Sequence, residues 1–380
     1  MTTPAHSPKQ TIKLGFLPLL DCAPLVMAQE LGFFREEGLT VQLERENSWA
    51  TLRDKVVFGL LDGAHMLSPM PIASTLGLGS VRKPLITALG LGLNGNAISL
   101  STPLYQELQA LSGQQRPSPQ ETVRALRRYL DQRTETKPLA LATVFPFSMH
   151  NYQLRHWLAQ GDIDPDLDLN LVVVPPALMV SALSSGDING FCVGEPYNAM
   201  VVKAGAGRIA LTGHDVWARA PEKVFGVTED WAARHPELHH HLLRALLRAC
   251  HWLDEPTNRT DLADFLAQPG YVNIDRETLA VAVAQMSGNM GPPDNPEHLL
   301  PCTHKYFYQH GATVPSLLHG RWIVDQMVRW GQVRHAVSDG VLAQVFRPDI
   351  YNEVARSMGL QISNAQSVSA TPAKSNDDTP

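Results

Sequence analysis

The chain is short of charge and of cysteine, and each shortage excludes functions. Only 18% of its 380 residues are Asp, Glu, Lys or Arg, and the balance is −6. No basic stripe stands out, so the broad phosphate-binding surface of a nucleic-acid binder is not expected, and direct contact with DNA or RNA is excluded from this reading. Four cysteines, Cys22, Cys192, Cys250 and Cys302, lie far apart with no C-x-x-C pair. That spacing argues against a zinc knuckle or a disulfide framework and for small apolar core residues. H-E-x-x-H and G-x-S-x-G are both missing, so metallohydrolase and serine-hydrolase chemistry lack support and nothing asks for a metal or a cofactor. No stretch approaches the roughly 18 uninterrupted apolar residues that cross a bilayer. Met1 to Gln10 lacks the basic and apolar regions of an export signal. On these absences the protein is expected in the cytoplasm, without a membrane partner.

What is present is apolar and regularly spaced. With 44% hydrophobic residues in 380, the chain is globular and long enough for two lobes. Ile12 to Leu20 reads as a buried strand, with Asp21 at the N-cap of a helix that Gly32 closes. Strands follow over 39–43, 63–66 and 84–89, with helices of about ten residues between them, the pattern of βαβ units on a parallel sheet. The alternation restarts after the polar stretch 112–119, with strands over 139–144, 169–174 and 190–193. Beyond Gly213 the chain turns mostly helical, and 236–253 forms a long amphipathic helix. The fold class is therefore α/β. Residues 11–95 make the first segment of lobe 1, 96–212 lobe 2, 213–362 a return to lobe 1 with a helical C-terminal part, and 363–380, rich in Ser, Asn, Thr, Asp and Pro, a disordered tail. A small ligand belongs between the lobes, where strand ends and helix N-termini converge.

Gly90-Leu-Gly92-Leu-Asn-Gly95 matches G-x-G-x-x-G, but the residues after it, Asn96 to Leu100, read as a strand, whereas a dinucleotide site needs a helix there. A crossover between lobes explains these glycines better. His239-His-His241 sits among Leu242, Leu243, Leu246 and Leu247 on one helix, so the three imidazoles splay apart and a solvated helix face is expected. His150 is placed differently, in the first turn of a helix after a strand end, where backbone N–H groups favour an anion. Val193 and Gly194 leave another strand, and Gly194 lets a ligand approach the main chain. Val174-Pro-Pro176 gives a rigid apolar wall. Lys223, just ahead of a strand-like segment, could supply a cation from an exposed position in the cleft.

Taken in order, these segments resemble the nitrate-binding branch of the periplasmic-type substrate-binding proteins. The matching blocks include Leu14-Gly-Phe, Asp21-Cys-Ala-Pro-Leu25, Glu30-Leu-Gly-Phe-Phe34, Ser48-Trp49, Asp62 to Met70, Asn94 to Ser99, Val173-Val-Pro-Pro176, Phe191 to Pro196 and Pro221-Glu-Lys223. The resemblance implies a two-lobed periplasmic binding protein fold, the type II clamshell, with the ligand cleft between lobes. By position it implies that Trp49, Asn96, His150, Pro176, Val193, Gly194 and Lys223 surround bound nitrate or nitrite. Asn96 stands where the transport proteins have a glutamine, one methylene longer.

A planar anion with three acceptor oxygens needs several donors and a compensating charge. A lysine about 4 Å away, at an effective dielectric near 20, supplies about 4 kcal/mol before desolvation. Without an export signal, the chain is most similar within this group to the cytoplasmic nitrate/nitrite sensors of the NasS type. That likeness implies a partner, an RNA-binding antiterminator of the NasT type that controls nitrate assimilation genes, with the RNA contact made by the partner. The alternative is the nitrate-binding component of an ABC transporter. An enzyme on the same clamshell would need a reactive cluster that only Cys192 and His150 could begin, so no catalytic residue is expected.

Overall fold

The structure, a computed structural model, describes residues 11–135, 137–286 and 300–360. The N-terminal decapeptide and the tail expected over 363–380 lie outside the described residues. The strands are β1 (Thr11–Phe16), β2 (Thr40–Arg45), β3 (Gly63–Leu67), β4 (Leu85–Leu93), β5 (Asn96–Ser101), β6 (Ala140–Thr143), β7 (Asn170–Val173), β8 (Gly190–Gly194), β9 (Gly207–Thr212) and β10 (Pro221–Thr228). They form two five-stranded sheets, ordered β2-β1-β3-β10-β4 and β7-β6-β8-β5-β9. The chain leaves the first sheet at Asn94–Gly95 and returns to it after β9, so the first sheet is built from two stretches of sequence and the second from one, β5 to β9.

The sheets are mixed rather than parallel, which corrects the expected arrangement. β1 runs parallel to β2 and β3, but β10 is antiparallel to both β3 and β4. In the second sheet β6 is parallel to β7 and β8, while β5 is antiparallel to β8 and β9. The reversed strands, β5 and β10, are the ones entered from the other lobe, and a strand that arrives without a helical crossover need not run parallel to its neighbours. The glycine motif accordingly joins strand to strand. A Cβ on Gly90 would lie 2.2 Å from the Ala312 carbonyl oxygen, and Gly92 takes a φ of 146° that other residues rarely adopt. No helix opens behind these glycines, so the motif is a crossover.

Helices cover the sheets. Those used below are α1 (Ala23–Glu30), α2 (Trp49–Val57), α3 (Met149–Ala159), α4 (Tyr197–Lys203) and α5 (Pro236–Asp254). On α5, Leu242, Leu243, Leu246, Leu247, Cys250 and Leu253 repeat at helical spacing and are buried in one core with α1. Each buried leucine contributes roughly 2 kcal/mol of transfer free energy. The histidine triplet does not form a solvated face. His239 is buried among Phe225 and Trp231, and burial pushes its imidazole down to about 3, while His241 pairs with Glu37 at 2.8 Å. A second apolar cluster joins the lobes, with Trp49, Leu67 and Val224 from the first and Val144, Phe191, Val193 and Tyr197 from the second. Leu20 N–H donates to the Glu195 carbonyl at 2.8 Å and Tyr197 Oη to the Pro18 carbonyl at 3.2 Å, which seals that seam with hydrogen bonds.

Candidate anion-binding site

Two helix starts aim at the seam. Ser48 caps α2, its Oγ accepting from Thr51 N–H at 3.1 Å, and Ser148 caps α3, accepting from Asn151 N–H at 3.1 Å. The caps set the first turns, so Trp49 stands at the first residue of α2 and His150 at the second of α3, where free N–H groups give a positive end. Both side chains are buried.

β10 brings the charges. All eight of its residues are buried, and Lys223 lies inside the strand rather than before it, 1% exposed instead of open to the cleft. Successive residues of a regular strand point to opposite faces. The ladder between β10 and β4 is irregular at Pro221/Lys223 and at Lys223/Val224, and a bulge of that kind re-aims side chains. Glu222 and Lys223 therefore meet. Lys223 Nζ sits 2.6 Å from Glu222 Oε1, 2.6 Å from Asp21 Oδ2 and 5.4 Å from the centre of the Trp49 ring. The lysine is thus not a free cation waiting for an anion, as the sequence suggested. Two carboxylates already neutralise it, and although burial works the other way, they raise its pKa.

Asp21 does not cap α1. It lies in a short turn, Leu20–Cys22, and its carboxylate turns inward, with Oδ1 3.0 Å from His65 Nε2 and Oδ2 on Lys223. Burial would push its carboxyl up, but Lys223 and His65 hold it well below the usual range. His65 stacks obliquely on Trp49, ring centres 5.4 Å apart. Burial lowers its pKa against the pull of Asp21.

Glu222 links the second lobe. His150 Nε2 faces Glu222 Oε1 across 3.4 Å, and Asn96 Nδ2 donates to the other carboxylate oxygen and to Gln153 Oε1 at 3.0 Å. The Asn96 amide expected to reach the anion is therefore engaged within the protein. Asn96 pairs with Gly194 across β5 and β8, and a Cβ on Gly194 would meet Leu19 at 3.2 Å, Asp21 Oδ2 at 3.5 Å and Asn96 Oδ1 at 3.6 Å. Val193, the next residue back, lies in the apolar cluster beside Trp49. Pro176, buried at the start of the turn after β7, takes no part in the ion-pair and hydrogen-bond network that joins the others.

Several buried polar atoms of this cluster have no hydrogen-bond partner: Trp49 Nε1, both ring nitrogens of His150, Asn96 Oδ1 and His65 Nδ1. Buried polar atoms left unpaired cost about 1 to 3 kcal/mol each, so their gathering in one place is the mark of a ligand site. Donors from both lobes converging beside two helix N-termini suit a small oxyanion. Cys192 is a poor nucleophile, its buried thiol pushed well above the ordinary value. Among the described residues no group of three His, Cys, Asp or Glu could hold a metal ion, and no helix is long and apolar enough to cross a membrane.

Residues 5–267 match the model of the NMT1-like family. The chain belongs to that family. It is 39% identical over 354 residues to "Nitrate import ATP-binding protein NrtC" of Synechocystis, covering 92% of this chain and 51% of that protein. It is 36% identical over 357 residues to "Bicarbonate transport ATP-binding protein CmpC" of Synechococcus elongatus, covering 93% of this chain and 50% of that one. The chain thus spans about half the length of these curated relatives. Among solved structures it resembles the periplasmic nitrate-binding protein NrtA from Synechocystis, with a TM-score of 0.84 and 28% identity over 97% of this chain and 93% of that one. The two-lobed clamshell is the fold they share.

Sequence reasoning missed Asp21, His65, Gln153, Glu222 and Lys305. The signal for one acid was available: Asp21 interrupts a run that is otherwise apolar, and a buried acid must be paired. Lys305 carries less local signal. It is buried, donates to the Asn94 carbonyl at 3.2 Å and lines a small pocket with Leu20, Asp21, Gly95, Glu195 and Thr303. It comes from a segment that meets the site only through the fold.

Proposed function

We propose that this protein binds nitrate or nitrite between its lobes, as a binding protein and not as an enzyme. The observation that carries the reading is the convergence of Trp49, His150 and Lys223 from two lobes on one buried spot, with the Trp49 and His150 nitrogens unpaired. Nitrate offers acceptors only, so it would take those N–H donors, with Trp49 flanking it and the Gly194 main chain close by. The likeness to NrtA in fold and to NrtC in sequence supports the same ligand.

These relatives are named for transport, and that favours the binding component of an ABC transporter, whose partners would be a permease and an ATPase. The sensor reading, with a cytoplasmic location and an RNA-binding antiterminator partner, rests on the sequence likeness alone and is the weaker of the two. Calorimetric titration with nitrate, nitrite and bicarbonate tests the ligand. Saturable binding of nitrate or nitrite with none of bicarbonate is expected, whereas bicarbonate binding alone would move the protein to the other transport class. Fractionation of native cells, with co-elution against the antiterminator with and without nitrate, tests the role. A complex that nitrate dissolves would replace transport by sensing.

A further inference from the structure

An anion entering this site meets a charge balance that has no room for it. Asp21 and Glu222 contribute two negative charges, and Lys223 and Lys305 two positive ones. Lys223 is gripped at 2.6 Å by both carboxylates. With Glu195, a carboxyl of the same pocket pushed up to about 7, holding its proton at pH 5.5, the sum is zero before a ligand arrives, and one further negative charge, enclosed and away from water, would stand uncompensated.

Resting on the reading above, we infer that the anion binds together with one proton, taken from solvent and held on His150 against Glu222. The geometry suits this. His150 is fully buried, neither ring nitrogen has a hydrogen-bond partner, and Nε2 already faces Glu222 Oε1 at 3.4 Å. An imidazolium has an N–H on each side, so one can go to Glu222 and the other remains for an acceptor oxygen of the ligand. Only an N–H bond forms, and the proton's charge cancels that of the anion.

Burial holds the imidazole at about 4, with Glu222 and Asp21 pulling it up and Lys223 and Lys305 pushing it down. His150 is neutral at ordinary pH without ligand. Further buried titratable groups of the same seam include His65, bound to Asp21, the Cys192 thiol, pushed well up by burial, and Glu195, a carboxyl pushed up to about 7. Asp215, from the short helix packed on α3, is spent capping Thr212. Of these, Glu195 and Lys305, the latter near 8, already hold most of their protons at pH 5.5.

The sign follows from linkage. His150 binds its proton more tightly with the anion present, so nitrate affinity is constant well below pH 4 and falls as pH rises through the interval between the free and bound values. Titrating the intact protein with nitrate at pH 5.5 in two buffers of different ionisation enthalpy reads the protons directly. Uptake approaching one per nitrate is expected, with affinity falling up to about tenfold per pH unit from pH 5 to 6.5. Glu222→Gln removes one negative charge and should cut the uptake severalfold. The 15N shifts of the His150 ring should move to imidazolium values when nitrate is added. Clear nitrate binding with no proton uptake and a flat pH profile would overturn the inference alone, as would protonation of His65 in place of His150. No binding at any pH would overturn the nitrate reading itself.

Discussion

Two buried lysines a short distance apart behave in opposite ways. Lys223 lies in the seam between the lobes with Asp21 and Glu222 both at 2.6 Å, and its pKa rises. Lys305 lies behind the crossover glycines, with one carbonyl at 3.2 Å and the Phe307 ring 5.2 Å away, and burial pulls it down to about 8. Both side chains are removed from water. What differs is the partner set: close carboxylates more than repay desolvation for one ammonium, while a carbonyl dipole and a ring do not for the other. A buried lysine is therefore not by itself a free cation for an anion, which is the point at which an argument from residue type alone goes astray.

The largest effect expected is on the Lys223 side. Lys223→Ala leaves two carboxylates buried without the cation that both touch and should lower stability by about 3 to 5 kcal/mol. Combining Lys223→Met with Asp21→Asn and Glu222→Gln should return most of that loss. Urea melts of the single and triple variants decide it, and a loss below about 1 kcal/mol for Lys223→Ala would mean that the trio is not coupled as described.

The pH dependence separates the two lysines further. The folded value of Lys305, about 8, lies below that of an unfolded lysine, about 10.4, so in that interval the unfolded chain holds more protons and stability rises with pH. Lys223 is raised instead, so its contribution is fully present below the unfolded value and is lost only as pH climbs through the higher folded one. Relative to Lys305→Met, the parent should gain on the order of 3 kcal/mol between about pH 8 and 10.4. Denaturation series at several pH values measure the difference, and parallel curves would remove the low value from Lys305.

How much of this was readable in the sequence depends on how local the cause is. The α/β alternation, the strand-to-strand nature of the glycine motif and the placement of His150 in a first turn all follow from neighbours within a few residues. So does Trp49 behind its serine cap. The direction of β5 and β10 did not follow, because it depends on which lobe the chain comes from. Asp21 looked like a cap because Asp before an apolar helix usually is one; the fold turned it toward a lysine some two hundred residues away. Glu222 carries no signal beyond being a neighbour of Lys223, since only the bulge against β4 lets adjacent strand residues meet. His239 looked solvated for a similar reason: adjacent imidazoles splay around a helix, and one of them had to face the core.

The crossover tests the other lysine's surroundings. Gly92→Ala places a Cβ at a φ of 146°, 2.7 Å from Lys305 Nζ and 2.9 Å from the Tyr306 carbonyl oxygen. The strain should cost about 1 to 3 kcal/mol. Adding Lys305→Ala should relieve the part due to the lysine and leave the backbone part, a coupling that thermal melts of the two single variants and the double variant would reveal. Strict additivity would show that the glycine serves the backbone alone.

The smallest effect on the fold, and the sharpest on the site, is expected at Trp49. Its ring lies 5.4 Å from Lys223 Nζ, but its indole N–H has no partner in the protein. Trp49→Phe keeps a flat aromatic face over the ammonium and discards only that N–H, so stability should change by no more than about 1 kcal/mol. Nitrate binding should weaken by about 1 to 3 kcal/mol, because one of the donors offered to the anion is gone. Calorimetry and melts on the same preparation measure both quantities. Equal affinity in Trp49→Phe and the parent would mean that the indole contributes its face alone, and that His150 is the side-chain donor on which binding rests.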